Sequence, residues 1–460
     1  MSRPMASSTL EWLANCARSA PMSVERIGFA EATGWKFAEG SARFEHATGR
    51  FFTIEGLRVW SDAGTVPSWD QPIILQPEVG TLGILTSMVD GERRFLMQAK
   101  AEPGNINQYQ VSPTLQATRS NYTRAHGGAE PEYLDFFAAD KDGVCVRVDQ
   151  LQPEQGARFL GKRNRNMVVE VDGLPQPGPL FRWFTLRELK ALMRLDNILN
   201  MDARSVLACI PPNGFDGAGL ASGSGGECLG GFRAALFDSA AHGSGQTTEA
   251  DPPFMWLAAA RARRSLTADR IPLTAMRDWE LTPSEIRHVQ RRHFSVVAVR
   301  VEAGNREVQR WAQPLVSPVE TGLVGLVCAV RGEVLRFLVR ATSEPGNTDG
   351  PLAGPTVMTG EPGRRTRDAL APPFLGVVLR ALGPGKFGRV RYDTLQSEEG
   401  GRFFRMQTRY VIIEMDEHEW EPDDPPRDFA WFTLAEILAL NQRGYCTIEL
   451  RTLLASLDLT

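Results

Sequence analysis

An α+β fold, built as a tandem duplication with a mixed sheet in each copy, is what the chain predicts, and three observations predict it. Trp12-Leu13-Ala14 returns as Trp256-Leu257-Ala258, and Arg26-Ile27 and Trp35 return as Arg270-Ile271 and Trp279, all at an offset of 244 residues. Each copy carries short β-rich runs around few helical stretches, the pattern of α+β domains. Each also closes on the same helix start. Phe184-Thr185-Leu186-Arg187-Glu188-Leu189 and Phe432-Thr433-Leu434-Ala435-Glu436-Ile437 are capping boxes, with Thr as the cap and Glu three residues on.

The repeat stays colinear between these ends. Trp69 with Gln71-Pro72 recurs as Trp311 with Gln313-Pro314, and Glu102-Pro103-Gly104-Asn105 as Glu344-Pro345-Gly346-Asn347, at an offset of 242. Arg158-Phe159 pairs with Arg402-Phe403, and Met167–Val171 with Val411–Met415, at 244. Residues 1–210 therefore form one domain and 252–460 the other, joined by the Gly/Ser/Ala-rich stretch 211–251, read as a flexible linker. Within the first copy, helices are expected over 5–18 and 185–195. Strands are expected over 51–59, 73–75, 83–89, 94–101 and 167–171.

Composition excludes several classes. The chain of 460 residues is longer than one hydrophobic core usually serves, which agrees with two domains. A net charge of −4 and a pI near 6.0 offer no basic face for nucleic acid. No apolar run is long enough to span a bilayer, and Met1–Ala20 lacks a signal-peptide pattern, so a cytoplasmic protein is expected. The six cysteines are dispersed without a Cys-x-x-Cys, as reduced structural thiols would be. His288 and His293 are five apart and do not share a helical face, so no metal site is expected. Gly383-Pro384-Gly385-Lys386-Phe387-Gly388 fits the dinucleotide-binding pattern but runs into Arg389-Val390-Arg391-Tyr392, not into a helix that would hold a pyrophosphate. No Walker A loop, nucleophile elbow or zincin motif occurs.

The chemistry concentrates between Gln98 and Tyr122. If the strand after Phe95-Leu96-Met97 continues to Glu102, alternation puts Gln98, Lys100 and Glu102 on one face. Glu102–Asn105 then reads as a type II turn, with Gly104 at the position needing positive φ. The row of polar side chains ends at that loop mouth and goes on through Asn107, Gln108, Ser112, Thr114, Gln116, Thr118, Arg119, Ser120, Asn121 and Tyr122. A solvated strand edge with a polar loop is the alternative reading. Further on, Lys162-Arg163-Asn164-Arg165-Asn166 precedes the strand Met167–Val171. Alternation puts Arg163 and Arg165 on one face, where two guanidinium forks suit a diphosphate, and Lys162, Asn164 and Asn166 on the other. A solvated charge run is the competing reading there. Trp35, Trp69 and Trp183 are candidates to stack on a base, or ordinary core residues.

Gln98-Ala-Lys100-Ala-Glu102-Pro-Gly-Asn105-Ile-Asn107-Gln108, Ser112-Pro-Thr114-Leu-Gln116-Ala-Thr118-Arg119-Ser120-Asn121-Tyr122 and Lys162-Arg163-Asn164-Arg165-Asn166-Met-Val-Val-Glu-Val171 together closely resemble the NDP-hexose 2,3-dehydratases of deoxysugar and antibiotic biosynthesis. The likeness covers essentially the whole chain. It implies a Nudix-like α/β/α domain in each half, a homodimer, and dTDP-4-keto-6-deoxyglucose as substrate. The acidic pair of the Nudix metal box is absent from Arg187–Leu192, so nucleotide hydrolysis is not expected. In the implied reaction the C4 ketone acidifies the C3 hydrogen, a base removes it, and the C2 hydroxyl leaves to give a 3,4-diketo-2,6-dideoxy sugar. No cofactor or metal is required, and a downstream NADPH-dependent 3-ketoreductase is the implied pathway partner. The titratable candidates are Lys100, Glu102, Tyr122 and His126, and the reading leaves the base open among them. Gln98, Asn105, Asn107 and Asn121 are orienting groups, with Arg158 among the binding residues. A silent sugar-nucleotide-binding protein and a metal-dependent nucleotide-sugar hydrolase are the rival readings.

The second copy keeps the frame and loses the polar groups. At the offset of 242, Gln98 becomes Arg340, Lys100 Thr342, Asn107 Asp349, Gln108 Gly350, Ser112 Gly354, Asn121 Gly363 and Tyr122 Arg364; at 244, Arg163 becomes Gln407 while Arg165 stays as Arg409. Catalysis is therefore expected in the first copy, with the second degenerate. A composite site between the copies is the alternative.

Overall fold

The computed structural model describes residues 3–62, 66–118, 131–138, 143–215, 231–242, 248, 250–304, 309–360, 372–385, 387–416, 420 and 425–460. Of the expected site residues, Arg119, Ser120, Asn121, Tyr122 and His126 lie outside that set.

The first half opens with α1 (Arg3–Ser19) and runs through β1 (Met22–Ile27), β2 (Trp35–Phe37), β3 (Arg43–His46), β4 (Thr53–Ser61), β5 (Ser68–Leu75), β6 (Gly80–Val89), β7 (Glu92–Ala101), β8 (Tyr109–Pro113), β9 (Leu115–Ala117), β10 (Val144–Pro153), β11 (Arg163–Val171) and β12 (Phe181–Thr185). It closes with α2 (Leu186–Leu192) and α3 (Met201–Leu207). After α4 (Phe232–Ala241) the second half begins at α5 (Pro252–Arg263) and follows the same order. Its strands are β13 (Leu266–Ile271), β14 (Trp279–Leu281), β15 (Glu285–His288), β16 (Phe294–Ala303), β17 (Arg310–Pro318), β18 (Gly322–Arg331), β19 (Val334–Thr342), β20 (Leu352–Gly354), β21 (Val357–Met358), β22 (Arg389–Ser397), β23 (Gln407–Met415) and β24 (Phe429–Phe432). Three helices, α6 (Leu375–Ala381), α7 (Leu434–Gln442) and α8 (Ile448–Ser456), complete it.

Each half holds a seven-stranded mixed sheet, ordered β10-β11-β6-β7-β12 and β20-β19-β18-β23-β22, with β11 parallel to β6 and β18 parallel to β23. The two smaller sheets are antiparallel, and each borrows a strand from the other half. β1 pairs along β16 from Met22↔Ala303 to Ile27↔Ala298, and β13 pairs along β4 from Leu266↔Ser61 to Ile271↔Gly56. A strand in a sheet satisfies its backbone groups only through its neighbours, so neither small sheet is complete without the other half.

Reciprocal contacts carry the interlock inward. The Trp35 indole donates to the Ala312 carbonyl (2.8 Å) and the Trp279 indole to that of Asp70 (2.6 Å), which makes both core residues. Arg204 on α3 and Arg451 on α8 are fully buried. The first donates to the Ser397 carbonyl and the second to that of Pro153, each at 2.7 Å across the halves. One apolar core runs through both large sheets, from Ile84, Phe95 and Val111 to Leu326, Phe337 and Leu453.

The expected turn forms, with the Asn105 amide donating to the Glu102 carbonyl (3.1 Å). Gly104, however, does not have positive φ. It is glycine because the other half's backbone lies against it: a Cβ there would sit 1.6 Å from the Phe403 carbonyl oxygen, and one at Gly346 would sit 1.8 Å from that of Phe159. Gly104 donates to Gly400 (2.7 Å) and accepts from Arg405 (2.8 Å). The left-handed residue is Gln108, at φ 65°, and Gly350 takes its place in the second half.

Both capping boxes form as expected. Thr185 Oγ1 accepts from the Glu188 amide (3.1 Å) and the Glu188 carboxylate from the Thr185 amide (2.7 Å), with the same pair at Thr433 and Glu436. The stretch read as a linker contains α4, where Phe232 and Leu236 fall on one face and Leu236 is buried. Ser239 Oγ donates to the Leu335 carbonyl (2.6 Å) and accepts from the Leu434 amide (2.8 Å), fixing that helix to the second half.

Asp70 ties the halves at the small sheets. Burial alone would raise its carboxyl, but Arg58 and Arg277 hold it well below the usual carboxylate range. Arg58 forks onto it at 3.0 and 2.8 Å, and the Arg277 amide donates at 2.7 Å. Asp70→Asn is expected to cost about 2 kcal/mol at neutral pH, less than a fully buried pair because both guanidiniums are partly exposed. A carboxyl lowered by folding stabilises above its unfolded pKa and stops doing so in acid. The gap in unfolding free energy between wild type and Asp70→Asn should therefore narrow steadily as pH falls below about 5 and keep narrowing until the lowered folded-state carboxyl is itself protonated.

Candidate active site

Lys100 lies near the end of β7, opposite Gln110 on β8. Its ammonium is 3.6 Å from Glu102 Oε1, with the glutamate side chain 6% exposed and the lysine 19%. The same oxygen accepts from Gln116 Nε2 (3.0 Å), and Gln116 Oε1 accepts from Asn200 (3.5 Å). Asn200 caps α3 through the Ala203 amide (2.8 Å), so the helix start fixes this row. Glu102 Oε2 is buried without a hydrogen-bond partner among the described residues. Lys100, Glu102 and Gln116 thus come together, as the sequence proposes.

In the second half the same glutamate does something else. Glu344 Oε2 accepts from the Gly156 amide (3.0 Å) and Asn347 Nδ2 (3.1 Å), holding its own turn. Thr342 stands where the first half has Lys100, and Met358 where it has Gln116.

The other half also reaches the first-half cluster. Gly400 and Gly401 press on the Glu102 turn: a Cβ at Gly400 would lie 2.0 Å from Asn105 Oδ1, and one at Gly401 3.7 Å from Glu102 Oε1 and 2.7 Å from Glu399 Oε1. Burial pushes the Glu399 carboxyl up to about 7, Arg402 opposes this, and the Glu102 and Glu154 carboxylates add to it. Asp202, buried in the first turn of α3, is raised well above the usual range by burial and by Glu399, Glu154 and Glu102. Sequence reading inside each copy missed Asp202, Glu154 and Glu399. The available signal was the offset of 244, which sets Gln155 against Glu399.

Other expected ligands serve the frame. Thr114 Oγ1 is engaged within the sheet: it donates to the Leu96 carbonyl and accepts from the Leu85 amide (2.9 Å). Thr356 repeats this with Leu338 and Val327. Asn107 donates to the Asn197 carbonyl (2.7 Å) and Gln108 to that of Met22, at the start of the exchanged strand. Asn105 holds the turn through the Gln108 carbonyl (2.9 Å). Trp69 does not reach the cluster; its indole donates to Gln71 (2.9 Å) and it packs on the Leu57, Val59 and Ile73 core. Trp183 donates to the Pro175 carbonyl (3.3 Å). Arg158 is buried with its guanidinium 4.2 Å from the Phe294 ring centroid, part of the interlock. Gln98 faces Ser112 across the β7–β8 pair, and Ser112 Oγ is buried without a partner among the described residues. Thr118 is the last described residue before 119–130.

Alternation along β11 holds. Lys162, Asn164 and Asn166 turn inward, where Lys162 donates to the Glu78 carbonyl and burial lowers its pKa. Asn164 donates to Glu154 (2.7 Å) and Asn166 accepts from Ser205 (2.8 Å). Arg163 and Arg165 turn outward, the first paired with Asp349, the second forked onto Asp149 at 2.7 and 2.5 Å.

No group of three or more His, Cys, Asp or Glu able to hold a metal occurs among the described residues. The described cysteines are free thiols. No helix of the described residues is long and apolar enough to cross a membrane.

An ammonium beside a buried glutamate, with two further carboxyls raised by burial, is an arrangement suited to acid–base chemistry, since one group can take a proton while another holds one. The chain belongs to the NDP-hexose 2,3-dehydratase family, whose model matches residues 6–210 and again 253–457. Three relatives carry the name dTDP-4-dehydro-6-deoxy-alpha-D-glucopyranose 2,3-dehydratase. The one from Saccharopolyspora spinosa is 44% identical over 97% of this chain and 90% of its own length. Those from Amycolatopsis orientalis and Streptomyces violaceoruber are 40% and 39% identical, over 97% and 96% of this chain and 89% and 95% of theirs.

Proposed function

We propose that this sugar-nucleotide 2,3-dehydratase, a hydro-lyase of deoxysugar biosynthesis, acts on dTDP-4-keto-6-deoxyglucose and turns it over at the Lys100–Glu102 cluster of the first half. The observation that carries the assignment is the Lys100 ammonium 3.6 Å from the buried Glu102, where the second half has Thr342 in place of the lysine. In this reading Glu102 takes the C3 proton and Lys100 faces the oxygen on which enolate charge develops. The C2 hydroxyl leaves, and the enol becomes a 3,4-diketo-2,6-dideoxy sugar. The relatives' names support the substrate, and the repeated family match supports two related halves. A Nudix-like duplication, a homodimer, a cytoplasmic location and a downstream NADPH-dependent 3-ketoreductase belong to the same reading.

The test is incubation with dTDP-4-keto-6-deoxyglucose and an ortho-diamine that traps vicinal diketones. A trapped product one water lighter than the substrate, still bearing dTDP, is expected. Rapid magnesium-dependent release of dTDP would sink the reading.

Arg163 and Arg165 form the diphosphate grip in this reading. Partly exposed ion pairs stabilise by about 0–1 kcal/mol, so the forks can exchange Asp349 and Asp149 for a more highly charged phosphate. Replacing either by Ala should weaken dTDP binding about tenfold, roughly one charge-assisted contact. Unchanged calorimetric affinity in both variants refutes the grip.

A further inference from the structure

Elimination needs a proton donor for the departing hydroxyl, and the first half does not supply every carboxyl at its own cluster. Glu399 comes from the second half, on the loop whose Gly400 and Gly401 close over Glu102. Its Oε1 and Glu102 Oε1 both border Gly401, within 2.7 and 3.7 Å of the point a Cβ would occupy. The equivalent residue at the other cluster is Gln155, whose amide donates to Glu398 (3.0 Å). Where Lys100 and Gln116 are present this position is an acid, and where Thr342 and Met358 replace them it is an amide. The first cluster also has the Lys100 ammonium 3.6 Å from Glu102, where the second has the Thr342 hydroxyl.

We propose that Glu399 holds the proton that leaves with the C2 oxygen, so that the site is composite. The proposal rests on the first-half assignment above. Glu102 takes the C3 proton and the C–H electron pair enters the enolate. That pair then forms the C2–C3 double bond as the C2–O bond breaks, and the oxygen departs as water with the Glu399 proton. Glu399 is left as carboxylate and Glu102 as acid, and one proton passed back between them restores the start. No oxidant or reductant is consumed.

The groups facing Glu399 are the carboxyls of Glu102, Glu154 and Asp202 and the cations Arg402 and Lys162. Burial and the carboxylates outweigh the cations and keep Glu399 protonated up to about pH 7. Elimination by the wild type should fall as pH rises through that value.

Glu399→Gln tests this, with a side chain the other cluster already accommodates at Gln155. In D2O at neutral pH, elimination should fall about a hundredfold while exchange of the C3 hydrogen continues, because the enolate still forms and returns. The alkaline limb of the pH profile should disappear with it. Glu399→Asp, which keeps a carboxyl, should retain that limb. Loss of exchange together with elimination, or elimination at the wild-type rate, overturns the proposal. If Glu399→Gln does not fold, absence of the limb in Glu399→Asp overturns it. Failure of the first-half assignment reads differently: Lys100→Met would then dehydrate normally.

Discussion

Lys100→Met is expected to lower kcat about a hundredfold or more while dTDP affinity changes less than about threefold. The size follows from typical losses when one group opposing developing oxyanion charge is removed, and the split follows because that charge exists only in the transition state. Methionine keeps the length and most of the volume of the stem, so the partly buried site is not emptied. Lysine to arginine should not restore full rate, since a planar fork places its charge differently from a compact ammonium. Thr342→Val, at the matching position, supplies the control. It removes a hydroxyl from a buried residue of the other half and should leave kcat unchanged. Steady-state kinetics with the diketone trap, paired with dTDP titration, decides it. A kcat near wild type rejects the role of Lys100.

Local hydrogen-bond logic was legible in the sequence. The capping boxes at Thr185 and Thr433 form because cap and partner lie three residues apart, and alternation along β7 and β11 fixed which side chains share a face. What the sequence did not show was which sheet a strand joins. Met22–Ile27 and Leu266–Ile271 occupy equivalent places in the repeat, and nothing in either says that they exchange partners. The reason for Gly104 was misplaced for the same cause, since the backbone that crowds it, Phe403, is some three hundred residues away. Glu399 is hidden because its loop serves the neighbouring half and not its own. The helix at Phe232–Ala241 was masked by the glycine-rich flanks around two apolar residues four apart.

Glu102→Gln should cut dehydration about a thousandfold, within the range for loss of a positioned acid–base group, and should abolish C3 hydrogen exchange as well. The amide keeps the shape, still meets Gln116 and leaves the Gly104 turn in place, so the loss reports proton transfer and not folding. Exchange separates this variant from Glu399→Gln: without the base no enolate forms, whereas without the acid it forms and reverts. The molecule also contains its own comparison. Glu344 occupies the same place in an almost identical turn, with one carboxylate oxygen serving the Gly156 amide and Asn347, but has a threonine where Glu102 has an ammonium. Glu344→Gln should therefore keep kcat within about threefold and lower stability by about 1 kcal/mol, the difference between a charged and a neutral acceptor. Equal loss of turnover in the two variants, both folded by calorimetry, would show that the Glu344 cluster carries chemistry too and that the working half was wrongly assigned.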